Sequence, residues 1–183
     1  MIIHLVRHAE AIERSPDTPE EHRFLTRRGR KRFRKIAKGL RKLGTQLDVI
    51  LTSPLVRAVQ TADILAETLR CKGDLLVEGL LAPGFRPESL DQLLNSYPQA
   101  KGIALVGHEP DLGILAQTLL SEEVYCTLKK GVVVSVKRAA GDRGKADFIQ
   151  LVTGGGKIIT SLSKALEHLQ AENIKISTEK GSA

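Results

Sequence analysis

The sequence has no tryptophan and one methionine, and its aromatic share is only 3%. Its core must therefore be built from Leu, Ile, Val and Ala. Cysteine is almost as scarce: Cys71 and Cys126 stand far apart, with no C-x-x-C spacing and no histidine companion. That pattern excludes a disulfide framework and leaves two reduced packing residues as the plain expectation. Long hydrophobic runs are missing as well. The N-terminal apolar run covers only residues 2 to 6, too short for a signal-peptide core, and no stretch approaches membrane-spanning length, so a cytoplasmic protein without membrane association is expected. What remains is ordinary for a soluble domain: 183 residues, 42% hydrophobic and 27% charged, enough chain to bury a full core. One domain over residues 1–170 is expected, followed by a frayed tail over 171–183 ending in "STEKGSA".

The formal charge of +7 is unevenly placed. Residues 27 to 42, "RRGRKRFRKIAKGLRK", hold ten Lys or Arg and no Asp or Glu, which leaves the rest of the chain net acidic. Within and just after this stretch, Phe33, Ile36, Ala37, Leu40 and Leu43 recur at helical spacing, so it predicts an amphipathic helix with basic outer faces. Such a face either tunes solubility or docks an acidic partner or nucleic acid.

Elsewhere, short β-rich runs alternate with helical periodicity, the pattern of an α/β fold. Strands are expected at 2–6, 47–53, 74–81 and 102–108, each followed by a helix: the basic one from Thr26, one after Pro54, a short one over Glu88 to Asn95, and one opened by Glu109, Pro110 and Asp111. "GVVVSVKR" and "ADFIQLV" flank "AAGDRGK" and predict a hairpin at the sheet edge. "GGGK" at 154–157 lacks the spacing of a nucleotide loop and predicts a turn before a last helix. The architecture expected is a three-layer sandwich, with a mostly parallel central sheet, helices on both faces and a C-terminal hairpin at the edge.

In open α/β sheets, ligands bind outside the carboxyl ends of the strands. The first strand ends in Arg7 and His8, the second in Thr52, Ser53 and Pro54 with Arg57 a helical turn on, and the fourth in Gly107 and His108. Arginine donates bidentately to phosphate oxygens and helix N-termini add backbone N–H groups, so these residues form a candidate phosphoryl pocket. A neutral imidazole there can attack phosphorus, forming a phosphohistidine that water hydrolyses.

The stretches "LVRHAEA", "LTRRGRKRF", "DVILTSPLVRAVQTADILA" and "ALVGHEPDLG" resemble the histidine phosphatase superfamily, and most closely its small phosphohistidine phosphatases of the SixA type, from residue 2 to about 153. The resemblance implies a phosphoglycerate mutase-like fold and a cofactor-independent, metal-free hydrolase. It implies a pocket of Arg7, His8, Arg57 and His108, with His8 as the phosphorylated nucleophile and His108 binding and orienting the transferring group. The implied substrate is phosphohistidine on a partner protein, a phosphocarrier or a histidine phosphotransfer domain. Two alternatives stand beside it: a small-molecule phosphomonoester phosphatase, and a non-catalytic anion- or nucleic-acid-binding module using the helix at 27–42, although nucleic acid is the less expected partner.

Two departures from the family pattern matter. Ala9 stands where glycine is usual, which the smaller branch accepts. A glutamate that protonates the leaving oxygen is expected after the third strand, but "VEGLLAPGF" is apolar at that position. Glu78, a few residues early, is the nearest candidate acid. Without a strong acid, the chemistry leans toward phosphoramidates, because a protonated imidazole leaves more readily than an alkoxide. Other histidines are expected to be structural: His4 lies four strand positions from His8, about 13 Å away and too far for shared metal ligation, while His22 and His168 have no motif around them. Ser53 is expected behind the pocket or as a helix cap.

Overall fold

The computed structural model describes residues 1–123, 125–139 and 145–179, giving only the backbone path for 171–179. Its seven strands are β1 (Ile2–Arg7), β2 (Val49–Thr52), β3 (Asp74–Val77), β4 (Gly102–Gly107), β5 (Val133–Lys137), β6 (Asp147–Val152) and β7 (Ile158–Ile159). The helices are α1 (Arg27–Lys42), α2 (Val56–Leu69), α3 (Leu90–Asn95), α4 (Asp111–Leu120) and α5 (Leu162–Glu179). The strands form one sheet in the order β3-β2-β4-β1-β5-β6-β7. The pairs β3/β2, β2/β4 and β4/β1 are parallel, and β1/β5, β5/β6 and β6/β7 are antiparallel.

Strand alternation sends side chains to two cores. Ile3, Leu5, Ile103 and Leu105 pack with Leu93 of α3, Leu115 of α4 and Leu169 of α5 on one face. Val6, Ala104 and Val106 pack with Phe33 and Ile36 of α1 and Ala62 and Leu65 of α2 on the other. Every residue of β4 is buried, which explains its unbroken apolar sequence. The three-layer α/β sandwich therefore follows the pattern expected from the sequence.

Several boundaries differ. The third strand ends at Val77, and the chain turns into a single 3₁₀ turn over Gly79–Leu81. As an edge strand it leaves Leu76 and Val77 exposed, which is why its apolar pattern is weak. The hairpin of β5 and β6 forms, although its turn at 140–144 lies outside the described residues. After "GGGK" the chain adds β7 before the last helix, so the antiparallel edge has three strands; two residues are too few for a periodic signal. The last helix continues through Glu179, beyond the expected start of a tail at 171, because no glycine or proline interrupts the stretch. Residues 180–183 lie outside the described residues.

His4 is buried, with its Nδ1 2.8 Å from Ser135 Oγ, its cross-strand partner. Cys71 and Cys126 are both free thiols. Among the described residues, no helix is long and apolar enough to cross a membrane.

Candidate active site

Three strand ends bring the candidate residues together. The His8 amide donates to the Gly107 carbonyl at 3.1 Å, stitching the end of β1 to the end of β4 directly before His108. The Arg7 and His8 carbonyls both accept from the Gly131 amide, which clamps the same turn from the β5 side. Close packing of α1 behind this turn depends on Gly29: a Cβ there would stand 2.1 Å from the Glu10 carbonyl oxygen. Thr26 caps the helix, its hydroxyl accepting from the Gly29 amide at 2.9 Å.

Arg7, His8, Arg57 and His108 line one cavity of about 650 Å³, together with Glu20, Arg23, Pro83, Glu109 and Lys130 among others. The His8 and His108 rings lie 5.2 Å apart between centroids, tilted by 55°. Both are nearly fully buried.

Hydrogen bonds fix the form of His8. Its Nδ1 lies 2.7 Å from the Ala9 carbonyl oxygen, which can only accept, so Nδ1 carries the ring proton. Nε2 is left with its lone pair and accepts from Arg57 Nε at 3.2 Å. Burial pushes the His8 pKa down to about 3, helped by the charges of Arg57 and Arg7. His108 is lowered to about 4 by burial and the same two arginines. Both imidazoles are therefore neutral at physiological pH. The Ala9 amide donates to Thr61 Oγ1, whose hydroxyl donates to the Arg57 carbonyl, so α2 is tied to the loop that follows His8.

Ser53 proves to be part of this arrangement. Its Oγ is 2.7 Å from His108 Nε2 and also accepts from the Leu55 amide. Nδ1 of His108 is buried with no hydrogen-bond partner among the described residues. Arg57 is held from outside by Glu20: Nη2 lies 2.9 Å from Glu20 Oε1, and Nη1 donates to the Glu20 carbonyl at 2.7 Å. Glu20 also pairs with Arg14 and Arg23, and these contacts, led by the Arg14 hydrogen bond, hold its pKa down to about 2. The Arg7 guanidinium donates to the Leu128 carbonyl.

Glu78 is not among the residues lining this cavity. Its carboxylate accepts from the Tyr97 hydroxyl at 3.2 Å instead. Because β3 stops at Val77 and a 3₁₀ turn follows, the residue delivered to the cavity wall is Pro83, whose loop is anchored by Asp111 accepting from the Gly84 and Phe85 amides. Sequence reasoning missed the three carboxylates that do line it, Glu13, Glu20 and Glu109. Glu20 sits in a polar loop with no periodic signal. Glu109 directly follows His108, where the sequence points only to the opening of a helix. Burial raises the Glu109 pKa to about 8 against the opposing pull of Arg7, so its carboxyl is mostly protonated at neutral pH. Room for it comes from Gly113, where a Cβ would stand 2.8 Å from Glu109 Oε2 and 2.1 Å from the Cys126 carbonyl oxygen.

A family model described as histidine phosphatase superfamily (branch 1) matches residues 3–78. A protein of Picosynechococcus sp. (strain ATCC 27264 / PCC 7002 / PR-6), itself uncharacterized, is 34% identical over 144 residues, covering 76% of this chain and 87% of that relative. The chain belongs to the histidine phosphatase superfamily. Superfamily membership makes it a phosphatase by class, a hydrolase of phosphoryl groups. In fold this histidine phosphatase is similar to the protein histidine phosphatase SixA in complex with tungstate, with a TM-score of 0.75 at 20% identity over 84% of this chain and 97% of that one. It is also similar to mycobacterial glucosyl-3-phosphoglycerate phosphatase, with a TM-score of 0.60 at 16% identity over 80% of this chain and 97% of that one. One fold thus carries a protein phosphatase and a small-molecule phosphatase, so the substrate of this histidine phosphatase has to be argued from its site.

Proposed function

We propose that this protein removes phosphate from phosphohistidine on a partner protein, through a covalent phosphohistidine at His8. The observation that carries the reading is the state of His8: a neutral ring whose proton is held on Nδ1 by the Ala9 carbonyl, with the Nε2 lone pair facing a cavity lined by Arg7 and Arg57. Nε2 attacks phosphorus in line, and the bond from phosphorus to the substrate's ring nitrogen breaks as that nitrogen takes up a proton from water in the open cavity. Arg57 Nε, released from the lone pair, turns its donor to a phosphoryl oxygen, while Arg7 balances charge on the others. His108 Nδ1, without a partner among the described residues, carries the ring proton when the Ser53 hydroxyl donates its hydrogen bond to Nε2, and is then the further donor. Water then attacks the phosphorylated His8, releasing orthophosphate and restoring the imidazole. The metal-free chemistry needs no cofactor, because the arginines supply the positive charge.

Two features support phosphohistidine over a phosphate ester. An imidazole leaving group needs less proton donation than an alkoxide, and no carboxylate stands at the wall position after β3, where Pro83 is found. The cavity is also wide for a single phosphoryl group, which gives a protein-borne residue access. The test is trapping by alkaline SDS quench, which preserves the phosphoramidate bond, with ³²P-labelled phosphohistidine peptide and, separately, turnover of p-nitrophenyl phosphate. Label on the wild-type enzyme, its loss in His8→Ala and faster turnover of the phosphohistidine peptide are expected. Full activity in His8→Ala would sink the mechanism; preference for the ester would replace the substrate.

A further inference from the structure

Helix α1 holds ten basic residues and no acidic one, and the proposed chemistry uses none of them. Ile36, Leu40, Phe33 and Ala37 fall on one side of the helix and are buried in the core shared with α2. Arg27, Lys31, Lys35, Lys38 and Lys42 fall on the opposite side and are all exposed. At 3.6 residues per turn the five lie within an arc of about 80°, and they form a row about 22 Å long. Both flanks of the row carry ion pairs. Arg28 and Arg32 pair with Glu10 at 3.0 and 3.9 Å on one side, and Arg34 pairs with Glu67 of α2 at 3.6 Å on the other. The row itself is different: none of its five side chains forms an ion pair among the described residues.

This arrangement works against the helix. Neighbours along the row are like charges at (i, i+3) or (i, i+4), and Arg27 stands in a first turn with no acidic residue, at the positive end of the helix dipole. Solubility is served by charge spread over a surface, whereas a row of one sign aims its field in one direction. Carboxylates at the same helical spacing on a partner would match the row along its length. Four of the five cations are lysines, point charges rather than the planar fork that suits phosphate, and the only aromatic residue of α1, Phe33, is buried and offers no base a stacking surface. These features favour an acidic protein over a nucleic acid. The row also begins beside the catalytic cavity: the Thr26 amide donates to the carbonyl of Glu10, just past His8, and Arg23, in the segment entering the helix, lines that cavity.

We propose that the outer row of α1 is the docking surface for an acidic face of the phosphoprotein substrate, which is held there while its phosphohistidine enters the catalytic cavity. The proposal rests on the phosphohistidine reading for the group delivered. Docking acts on encounter and orientation, so it raises kcat/KM for a protein-borne substrate and leaves a small ester untouched.

The test uses two synthetic peptides, each with one phosphohistidine joined by a Gly/Ser linker to a designed helix. The helix carries glutamate at (i, i+4) spacing in one peptide and glutamine in the other. At low salt, wild-type kcat/KM for the glutamate peptide is expected to exceed that for the glutamine peptide by about tenfold, and the difference should close as salt rises. In Lys31→Gln/Lys35→Gln/Lys38→Gln the ratio should fall to about one. In Lys72→Gln/Lys101→Gln/Lys164→Gln, an equal loss of exposed charge elsewhere, it should persist. Both variants should turn over p-nitrophenyl phosphate as the wild type does; loss of that turnover in the α1 variant alone would place its lysines in the catalytic site and overturn docking. No preference in the wild type, or equal loss in both variants, overturns it too. So does a double-stranded RNA oligonucleotide that binds more tightly than the glutamate helix and is released only by the α1 variant, because the partner is then a nucleic acid. If neither peptide is turned over while p-nitrophenyl phosphate is, the phosphohistidine reading fails. Fluorescence polarisation of the glutamate helix without phosphohistidine then decides the surface: binding weakened only in the α1 variant supports it, and equal binding by all three proteins rejects it.

Discussion

Arg57 Nε stands 3.2 Å from His8 Nε2, so the lone pair that would attack phosphorus is held by the guanidinium that would stabilise the product. The same guanidinium reaches Glu20 through both terminal nitrogens. A lysine has one compact ammonium and cannot serve both sides. Arg57→Lys should therefore lower kcat/KM for p-nitrophenyl phosphate by roughly 10²- to 10³-fold. Near-wild-type kinetics would show that charge alone suffices.

Ser53→Ala removes the hydroxyl 2.7 Å from His108 Nε2. The ring then has no partner fixing its tautomer, and kcat should fall by about tenfold, with ¹⁵N shifts of His108 moving toward a tautomer mixture. Unchanged shifts would show that Ser53 only caps the turn into α2.

Acid should act on folding before it acts on the nucleophile. His4, His8 and His108 have folded pKa values lowered from 6.5 to about 4, 3 and 4 by burial. Below pH 6.5 the unfolded chain gains protons at these sites that the folded chain does not, so stability is full above 6.5 and declines as pH falls toward 4. Urea titrations between pH 7 and 4.5 should show this decline. His4→Gln, which can keep a hydrogen bond to Ser135, should lessen it, while kcat/KM of the still-folded wild type stays level across the same range.

Glu109 has the opposite sign. Its pKa is raised from 4.5 to about 8, so its contribution is full below pH 4.5 and is lost as pH rises through 8, where the folded carboxyl ionises. Glu109→Gln keeps a neutral group of similar size, and should match wild type in stability near pH 4.5 and exceed it by about 1–3 kcal/mol at pH 8. Wild-type KM should also climb above pH 8 as a carboxylate forms near Arg7, and this rise should be absent from the variant.

The sandwich and its four inward-facing basic residues were legible because each is written locally. Apolar runs mark β1, β2 and β4, and Arg7, His8 and His108 sit at their ends, where an open sheet binds ligands. What could not be read depends on contacts distant in sequence. Glu20 meets Arg57 through a polar loop without periodicity, and the shift of Glu109 comes from burial that its neighbours in the chain do not disclose. Glu78 was misplaced because the length of an edge strand is set by its pairing: β3 stops at Val77, opposite Thr52. The two residues of β7 carry too short a pattern to distinguish a strand from a turn.

Strand β1 is the seam of the sheet, parallel to β4 on one side and antiparallel to β5 on the other. The parallel half points its strand ends at the cavity and contributes Arg7, His8 and His108, with Arg57 from the helix after β2. The antiparallel half meets the same edge with the entry to β5 and the turn after β6, and contributes Lys129, Lys130 and the glycines. Reactive groups and their neighbours thus occupy separate stretches of chain. The backbone of 128–131 clamps the strand end that carries His8, so the side chains at 129 and 130 can change in charge while the length of that segment is fixed, and substrate preference can drift without disturbing the chemistry.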